Sequence, residues 1–313
     1  MPLMKAVRIH EYGGREKLAY EDAPRPAPGD GEVLIRVACS TLNPFDCALH
    51  AGYMSSYFNH TLPLIPGTDV SGTIEQIGSG VTAYEPGDKV YGRAGVTRDG
   101  SYAEYVVAPA TDVAFRPRSL DDVHAASLPH VTLTAWQALF VLAGLKPGQT
   151  VLIHGAAGGV GHIAVQLAKW RGAKVIGTAS QNFDFLRELD VDQAIDYSST
   201  AFEDVVRDAD VVLDTVGGDT QERSWGVLKR GGMLVSVVQP PSEETATARG
   251  VRHGMVVSSP PIQQTLSEVA QLVDDGKIKP HVSATFPLRE IQQAHAMIEA
   301  RHTRGKIVLQ IAQ

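Results

Sequence analysis

The residues best placed to do chemistry are glycines. The run VLIHGAAGGVGHIAVQLAKW, residues 151–170, sets Gly155, Gly158, Gly159 and Gly161 between an apolar stretch and an amphipathic one. A pyrophosphate needs backbone N–H groups aimed at it, no Cβ in the way, and the positive end of a helix dipole beneath it. Gly158 and Gly159 allow that approach, and Gly161 lets the following helix pack on the preceding strand. The spacing reads A-x-G-x-x-G, with Ala156 at the first glycine position of the usual fingerprint. It predicts a dinucleotide site.

The kind of dinucleotide depends on the residues that end the next strand. NAD sites place an Asp or Glu about 20 residues on, accepting from the ribose hydroxyls. Here the stretch is Ala179-Ser180-Gln181-Asn182, with no carboxylate and no Arg or Lys between 180 and 186. Asp184 lies further along, inside the helix NFDFLREL. Ser180 and Asn182 would tolerate a 2′-phosphate, so NADPH is the expected cofactor. Both are also good helix N-cap residues, and the two roles are compatible.

These residues must be held by a frame. TVLIHG (150–155) reads as a strand buried on both faces, and a helix through about Trp170 comes after it. Strand and helix then alternate: strands at 173–180, 193–197, 209–217, 231–238 and 254–259, with a helix in NFDFLREL. Such alternation means βαβ crossovers and a parallel sheet covered on both faces. Before residue 122 the chain is rich in Gly, Pro and short β-like runs at 4–10, 32–39, 70–78, 88–91 and 102–107, which suggests a compact, partly open barrel. AASLPHVTLTAWQALFVLAG is helical in period. The tail offers helices at 261–275 and 288–300 and strands near 284–286 and at 306–311. It reads as a return to the first domain.

Composition excludes other classes. The chain has 313 residues, 43% hydrophobic and 20% charged, with a formal net charge of −7. That length suits two domains. Its scattered charges give no footprint for nucleic acid or anionic lipid. No window approaches the ~20 apolar residues of a membrane span, and the N-terminus lacks the apolar core of a signal peptide. Cys39 and Cys47 are too few for a disulfide framework or a four-thiolate zinc site, and they fit a reducing, cytoplasmic setting.

Longer stretches carry a resemblance. LNPFDCALHAGY, PLIPGTDVSGTIEQIGSGVTAYEPGDKVYG, LPHVTLTAWQAL, VLIHGAAGGVGHIAVQLAKWRGAKVIGTAS and the closing HTRGKIVL resemble the zinc-independent quinone oxidoreductases of the medium-chain dehydrogenase/reductase superfamily, nearly end to end. The resemblance implies an α/β fold: a Rossmann doubly wound parallel sheet (residues 122–258) plus a GroES-like, mostly β catalytic domain. That second domain is split between residues 1–121 and a C-terminal return, 259–313. It also implies NADPH as hydride donor, a cleft at the domain junction, and a homodimer through the last Rossmann strand, at about residues 254–258.

Carried over by position, the cofactor contacts would be Thr134 near the nicotinamide and Ala157, Gly158, Gly159 and Val160 at the pyrophosphate. Ser180, Asn182 and Tyr197 would surround the adenosine ribose, with Val216 and Val237 on loops over the strand ends and Lys306 near the cleft. Zinc-dependent relatives bind their metal at positions matching Asn43, Thr68 and His130, of which only His130 is a plausible ligand. No pair of histidines has helical ligand spacing beside a third ligand, so no metal is expected. Without a Lewis acid the fitting acceptors are quinones or enones, whose charge delocalises. Asn43, Tyr53 and His130 are the candidates to hydrogen-bond the acceptor's oxygen or, for His130, to supply a proton near neutrality. The alternatives are a 2-alkenal or enone reductase with a different pocket and a non-catalytic NADPH-binding sensor or scaffold.

Overall fold

The computed structural model describes residues 2–58, 60–257, 260–300 and 303–311. The chain divides into two compact units: Met1–His130 with Pro261–Asp275 and Pro280–Gln313, and Val131–Pro260 with Gly276–Lys279.

In the first unit, β1 (Leu3–Arg8) and β2 (Ala19–Pro24) form an antiparallel ribbon. β3 (Glu32–Thr41) leads into helix α1 (Pro44–His50), followed by β4 (Asp69–Ile77), β5 (Lys89–Arg93), β6 (Tyr105–Pro109) and β7 (Val113–Phe115). Helix α2 (Asp122–Ala126) comes next, and α3 (Pro129–Trp136) begins in this unit and runs on into a π-helical stretch, Gln137–Leu142. Lys146-Pro147-Gly148 follows, where a helix cannot continue.

The second unit alternates as its apolar runs require: β8 (Thr150–Ile153), α4 (Gly159–Trp170), β9 (Lys174–Ala179), α5 (Phe183–Glu188) and β10 (Gln193–Asp196). Then come α6 (Phe202–Val205), β11 (Ala209–Asp214), α7 (Gly218–Ser224), β12 (Leu228–Ser236), α8 (Glu243–Arg249) and β13 (Arg252–Met255). The strand expected at 254–259 therefore starts earlier; residues 258 and 259, with part of the expected dimer seam, lie outside the described residues. The chain closes with α9 (Ile262–Asp274), β14 (Val282–Pro287), α10 (Ile291–Glu299) and β15 (Lys306–Gln310).

The six strands of the second unit are parallel, in the order β10-β9-β8-β11-β12-β13. Val151, Leu152 and Ile153 are fully buried, as both-face coverage demands. Leu152, Ile176, Val212, Leu234, Phe202 and Trp225 pack one side of this sheet. The first unit holds a seven-stranded sheet, β14-β15-β3-β4-β5-β7 with β6 also on β3, over a core that includes Val33, Ile35, Val70, Ile74 and Val90. β15 joins antiparallel to β3, Val308 opposite Thr41, so the end of the chain completes the sheet begun near its start.

Hydrogen bonds explain where the units part. The first runs to His130, past 121, because the His130 backbone N–H donates to Asp69 Oδ1 of β4 (2.6 Å). Residues 276–279 join the second because the Gln166 amide of α4 brackets Lys279, donating to its carbonyl (3.1 Å) and accepting from its N–H (2.7 Å). Among the described residues, no helix is long and apolar enough to cross a membrane.

Candidate functional site

The glycine turn leaves the sheet where its strand order switches. From β8 the chain steps outward through β9 to β10, and returns on the other side of β8 through β11. A crevice at the carboxyl ends of strands at such a point is where open α/β sheets bind ligands. Gly155 takes a left-handed φ of +62°, and its carbonyl accepts from Gly158 N (2.9 Å). At Gly161 a Cβ would fall 2.2 Å from Gly155 O and 2.8 Å from Ala156 Cα, so only glycine lets α4 start against the turn. At Gly158 a Cβ would meet only Gly155 O, at 3.2 Å. Gly158 caps α4 with no side chain, and no acid stands in the first turn. Among the described residues, neither a capping side chain nor a first-turn acid answers the amides and dipole of this twelve-residue helix. These residues fit a dinucleotide pyrophosphate.

The other residues expected to contact the cofactor lie on the loops after β9, β10, β11 and β12 and, for Thr134, on α3. Ser180 is partly exposed after β9. Asn182 sits at the start of α5 with φ +65°, and its side chain does not cap the helix, so the amide is not spent there. Tyr197 and Val216 are half exposed, while Val237 and Thr134 are partly buried. Asp214, at the end of β11, joins these loops although no sequence motif points to it. Its Oδ1 accepts from Val216 N (2.9 Å) and Gly217 N (2.8 Å), and its Oδ2 from Gln221 Nε2 and Ser236 Oγ (2.9 Å each). One buried carboxylate thus sets the loops after β11 and β12. The available cue is an Asp at a strand end before a Gly-Gly pair, where a side chain can satisfy turn amides.

In the first unit, the polar residues gather on Asp69. Its Oδ2 accepts from Asn43 Nδ2 (2.9 Å) and from Thr41 Oγ1, and Lys306 Nζ lies 3.5 Å away. Lys306 Nζ also donates to Asn43 Oδ1 (2.6 Å) and Leu42 O (2.9 Å), and Asn43 Nδ2 reaches Thr68 Oγ1 (3.2 Å). Burial alone would raise the Asp69 carboxyl, but Lys306, His130, Thr41 and Asn43 hold it below its ordinary value. Burial lowers the Lys306 ammonium, against the pull of Asp69. Asp46 caps α1 by accepting from Asn43 N (2.8 Å), and burial pushes it up to about 7.

This arrangement corrects two expectations. Asn43 is buried with its amide donors and its carbonyl engaged inside the cluster, so it does not offer a free N–H to an acceptor. His130 does not titrate near neutrality: burial lowers it to about 4, outweighing Asp69, and it is neutral at pH 7. The His130 backbone N–H, at the start of α3, donates to Asp69 Oδ1. Lys306 is a buried strand start committed to Leu42, Asn43 and Asp69. Tyr53 stands apart in the turn after α1, 76% exposed.

The expectation about ligand spacing concerned pairs of histidines; a mixed set of cysteine, histidine and glutamate nevertheless converges where α1 meets α10. Cys47 and His50 share a face of α1, His295 and Glu299 a face of α10, and their ligand atoms lie within 4.8 Å of one another. Helix–helix packing brings the pairs together, which sequence spacing does not reveal. Asn43, Thr68 and His130, by contrast, supply an amide, a hydroxyl and one imidazole, a poor donor set for zinc.

Comparison with known proteins agrees with this geometry. Residues 29–118 match the alcohol dehydrogenase GroES-like domain, and residues 189–309 match a family described as zinc-binding dehydrogenase. The mouse mitochondrial NAD(P)H oxidoreductase RTN4IP1 is 32% identical, over 99% of this chain and 89% of its own. The chain belongs to the medium-chain dehydrogenase/reductase superfamily. Its fold is the superfamily's, a GroES-like domain with a Rossmann-type parallel sheet. A chloroplastic NADPH-dependent alkenal/one oxidoreductase of Arabidopsis thaliana is 33% identical, over 98% of this chain and 79% of its own. The structure of the quinone oxidoreductase from Coxiella burnetii superposes with a TM-score of 0.92 at 35% identity, covering 99% of this chain and all of that one.

Proposed function

We propose that this oxidoreductase reduces quinones or other conjugated carbonyls with NADPH, and that it does so without a catalytic metal. The observation that carries the reading is the glycine turn at the strand-order switch, with its uncapped helix and no carboxylate at the end of β9. Gly158, Gly159 and Val160 hold the pyrophosphate by main-chain amides. Ser180 and Asn182 accept a 2′-phosphate that an acid would repel, and Tyr197 lines the ribose. Thr134, Ala157, Val216 and Val237 complete the contacts, with the last two on loops that Asp214 fixes. When bound, the nicotinamide supplies a hydride to the acceptor, whose oxygen takes a proton from solvent.

The polar residues of the first unit support this class of acceptor. Asn43 and Lys306 are positioning residues, and neutral His130 is no strong acid at pH 7. An acceptor that spreads charge over a ring or an enone needs none, whereas an isolated ketone would. Unpaired Cys39 and Cys47 fit a reducing compartment such as the cytoplasm. β13 lies at the edge of its sheet with Val257 exposed beyond it, which supports a homodimer built by pairing that edge.

The test is anaerobic stopped flow: protein loaded with NADPH is mixed with 1,4-benzoquinone, 9,10-phenanthrenequinone or a 2-alkenal. One equivalent of bound NADPH should be oxidised by at least one acceptor. Tight cofactor binding with no oxidation by any of them would contradict the proposal and leave a binding protein without turnover.

A further inference from the structure

The α1–α10 contact brings together four ligands that the reductase reading does not use. Cys47 and His50 stand one turn apart on α1, and His295 and Glu299 one turn apart on α10. Their ligand atoms all lie within 4.8 Å, and Cys47 Sγ is 3.5 Å from His295 Nδ1. Tetrahedral zinc, with bonds of about 2.0–2.3 Å, sets its ligands about 3.3–3.7 Å apart. The Cys47–His295 pair already has that spacing, and no ligand atom of the set lies more than 4.8 Å from another.

Two further observations point to a ligand. His50 and His295 are almost wholly buried, yet Nε2 of each has no hydrogen-bond partner among the described residues. A buried polar atom is normally satisfied, and these rings meet edge to face with centroids 4.9 Å apart. The surroundings also resemble a supporting shell. His50 Nδ1–H donates to Gly13 O (2.9 Å), which fixes the tautomer and leaves Nε2 a bare lone pair. Arg15 Nη1 holds Glu299 Oε2 at 2.5 Å, leaving the other carboxylate oxygen for an ion.

We propose that Cys47, His50, His295 and Glu299 form a structural site for one zinc-class divalent ion, clamping α1 to α10. The set of one sulfur, two nitrogens and one oxygen is borderline-soft and suits zinc or cobalt better than magnesium or calcium. Charges balance: the ion displaces the Cys47 thiol proton to solvent, and thiolate plus carboxylate neutralise its two positive charges. All four positions are protein side chains, which is the closed arrangement of structural rather than catalytic zinc.

Chelator-stripped full-length protein is titrated with zinc by calorimetry and with cobalt(II) by absorption. One zinc should bind per chain. The cobalt complex should show a thiolate-to-metal band in the near ultraviolet and tetrahedral d–d bands in the visible. Cys47→Ser should abolish the first. Glu299→Gln alters a partly exposed side chain outside the cofactor site, so it should keep the fold and the NADPH affinity while weakening zinc at least about tenfold. Wild-type protein that binds less than one equivalent, a thiolate band that survives Cys47→Ser, or zinc affinity unchanged by Glu299→Gln would each overturn the assignment.

Discussion

Asp69 shows how one carboxylate organises a whole polar core. It ties β4 to the end of β3, to the residue that opens α1, to the first turn of α3 and to the start of β15. Removing its counter-ion leaves a buried charge unpaired, so Lys306→Met should cost about 3–5 kcal/mol in urea unfolding. Adding Asp69→Asn to that variant should recover part of the loss, because the orphaned charge goes too. None of this is legible in DVSGTIE, since the partners come from residues 41, 43 and 306 and no local pattern joins them. Asn43 and His130 stand out in the sequence as polar residues beside apolar runs, but the direction of their bonds does not. The adenosine end is easier, because a missing acid is visible in any sequence. Ser180→Asp should therefore shift preference towards NADH by about tenfold or more, read as the ratio of the two dissociation constants. An unchanged ratio would mean that Ser180 does not face the ribose.

At the level of elements, the two turn glycines separate folding from binding. Gly161→Ala forces α4 off the turn and should cost about 1–3 kcal/mol of stability as well as NADPH affinity. Gly158→Ala meets little within the protein and should melt close to wild type, yet its Cβ would enter the pyrophosphate approach and lower affinity. Equal melting temperatures for the two variants would contradict the packing role of Gly161. The long buried strands and α4 are readable because their apolar periods are strong. Helix α1 is too short to show a period, although Asn43-Pro44 followed by Asp46 is a good start signal, with proline at the first helical position and an acid two residues on. The short helices α6, α7 and α8, and the short strand β7, likewise hold too few residues for a period to emerge.

For the whole molecule, buried histidines set the acid limit. Burial holds His130, in the first unit, and His154, in the second, at about 4, against 6.5 for an exposed imidazole. Each binds its proton less readily folded than unfolded. Their contribution is complete above about pH 6.5 and is lost as pH falls towards 4, by about 2–3 kcal/mol each. The unfolding midpoint should drop across that window, and His154→Phe should flatten it by about one proton. Assembly is tested at the sheet edge: light scattering should return twice the chain's mass, and Val257→Asp should return the chain's own. The alternation that predicts the parallel sheet lies in one continuous stretch, so it can be read directly. The pairing of β15 with β3 joins opposite ends of the chain: the tail's pattern suggests a return to the first domain, but not the strand it joins.

The cradle itself can be tested by titrating the purified protein with NADPH and with NADH under identical conditions. The expected result is saturable binding of both, with NADPH the tighter by about tenfold or more. Failure to bind either coenzyme, or a tighter grip on NADH, would contradict it.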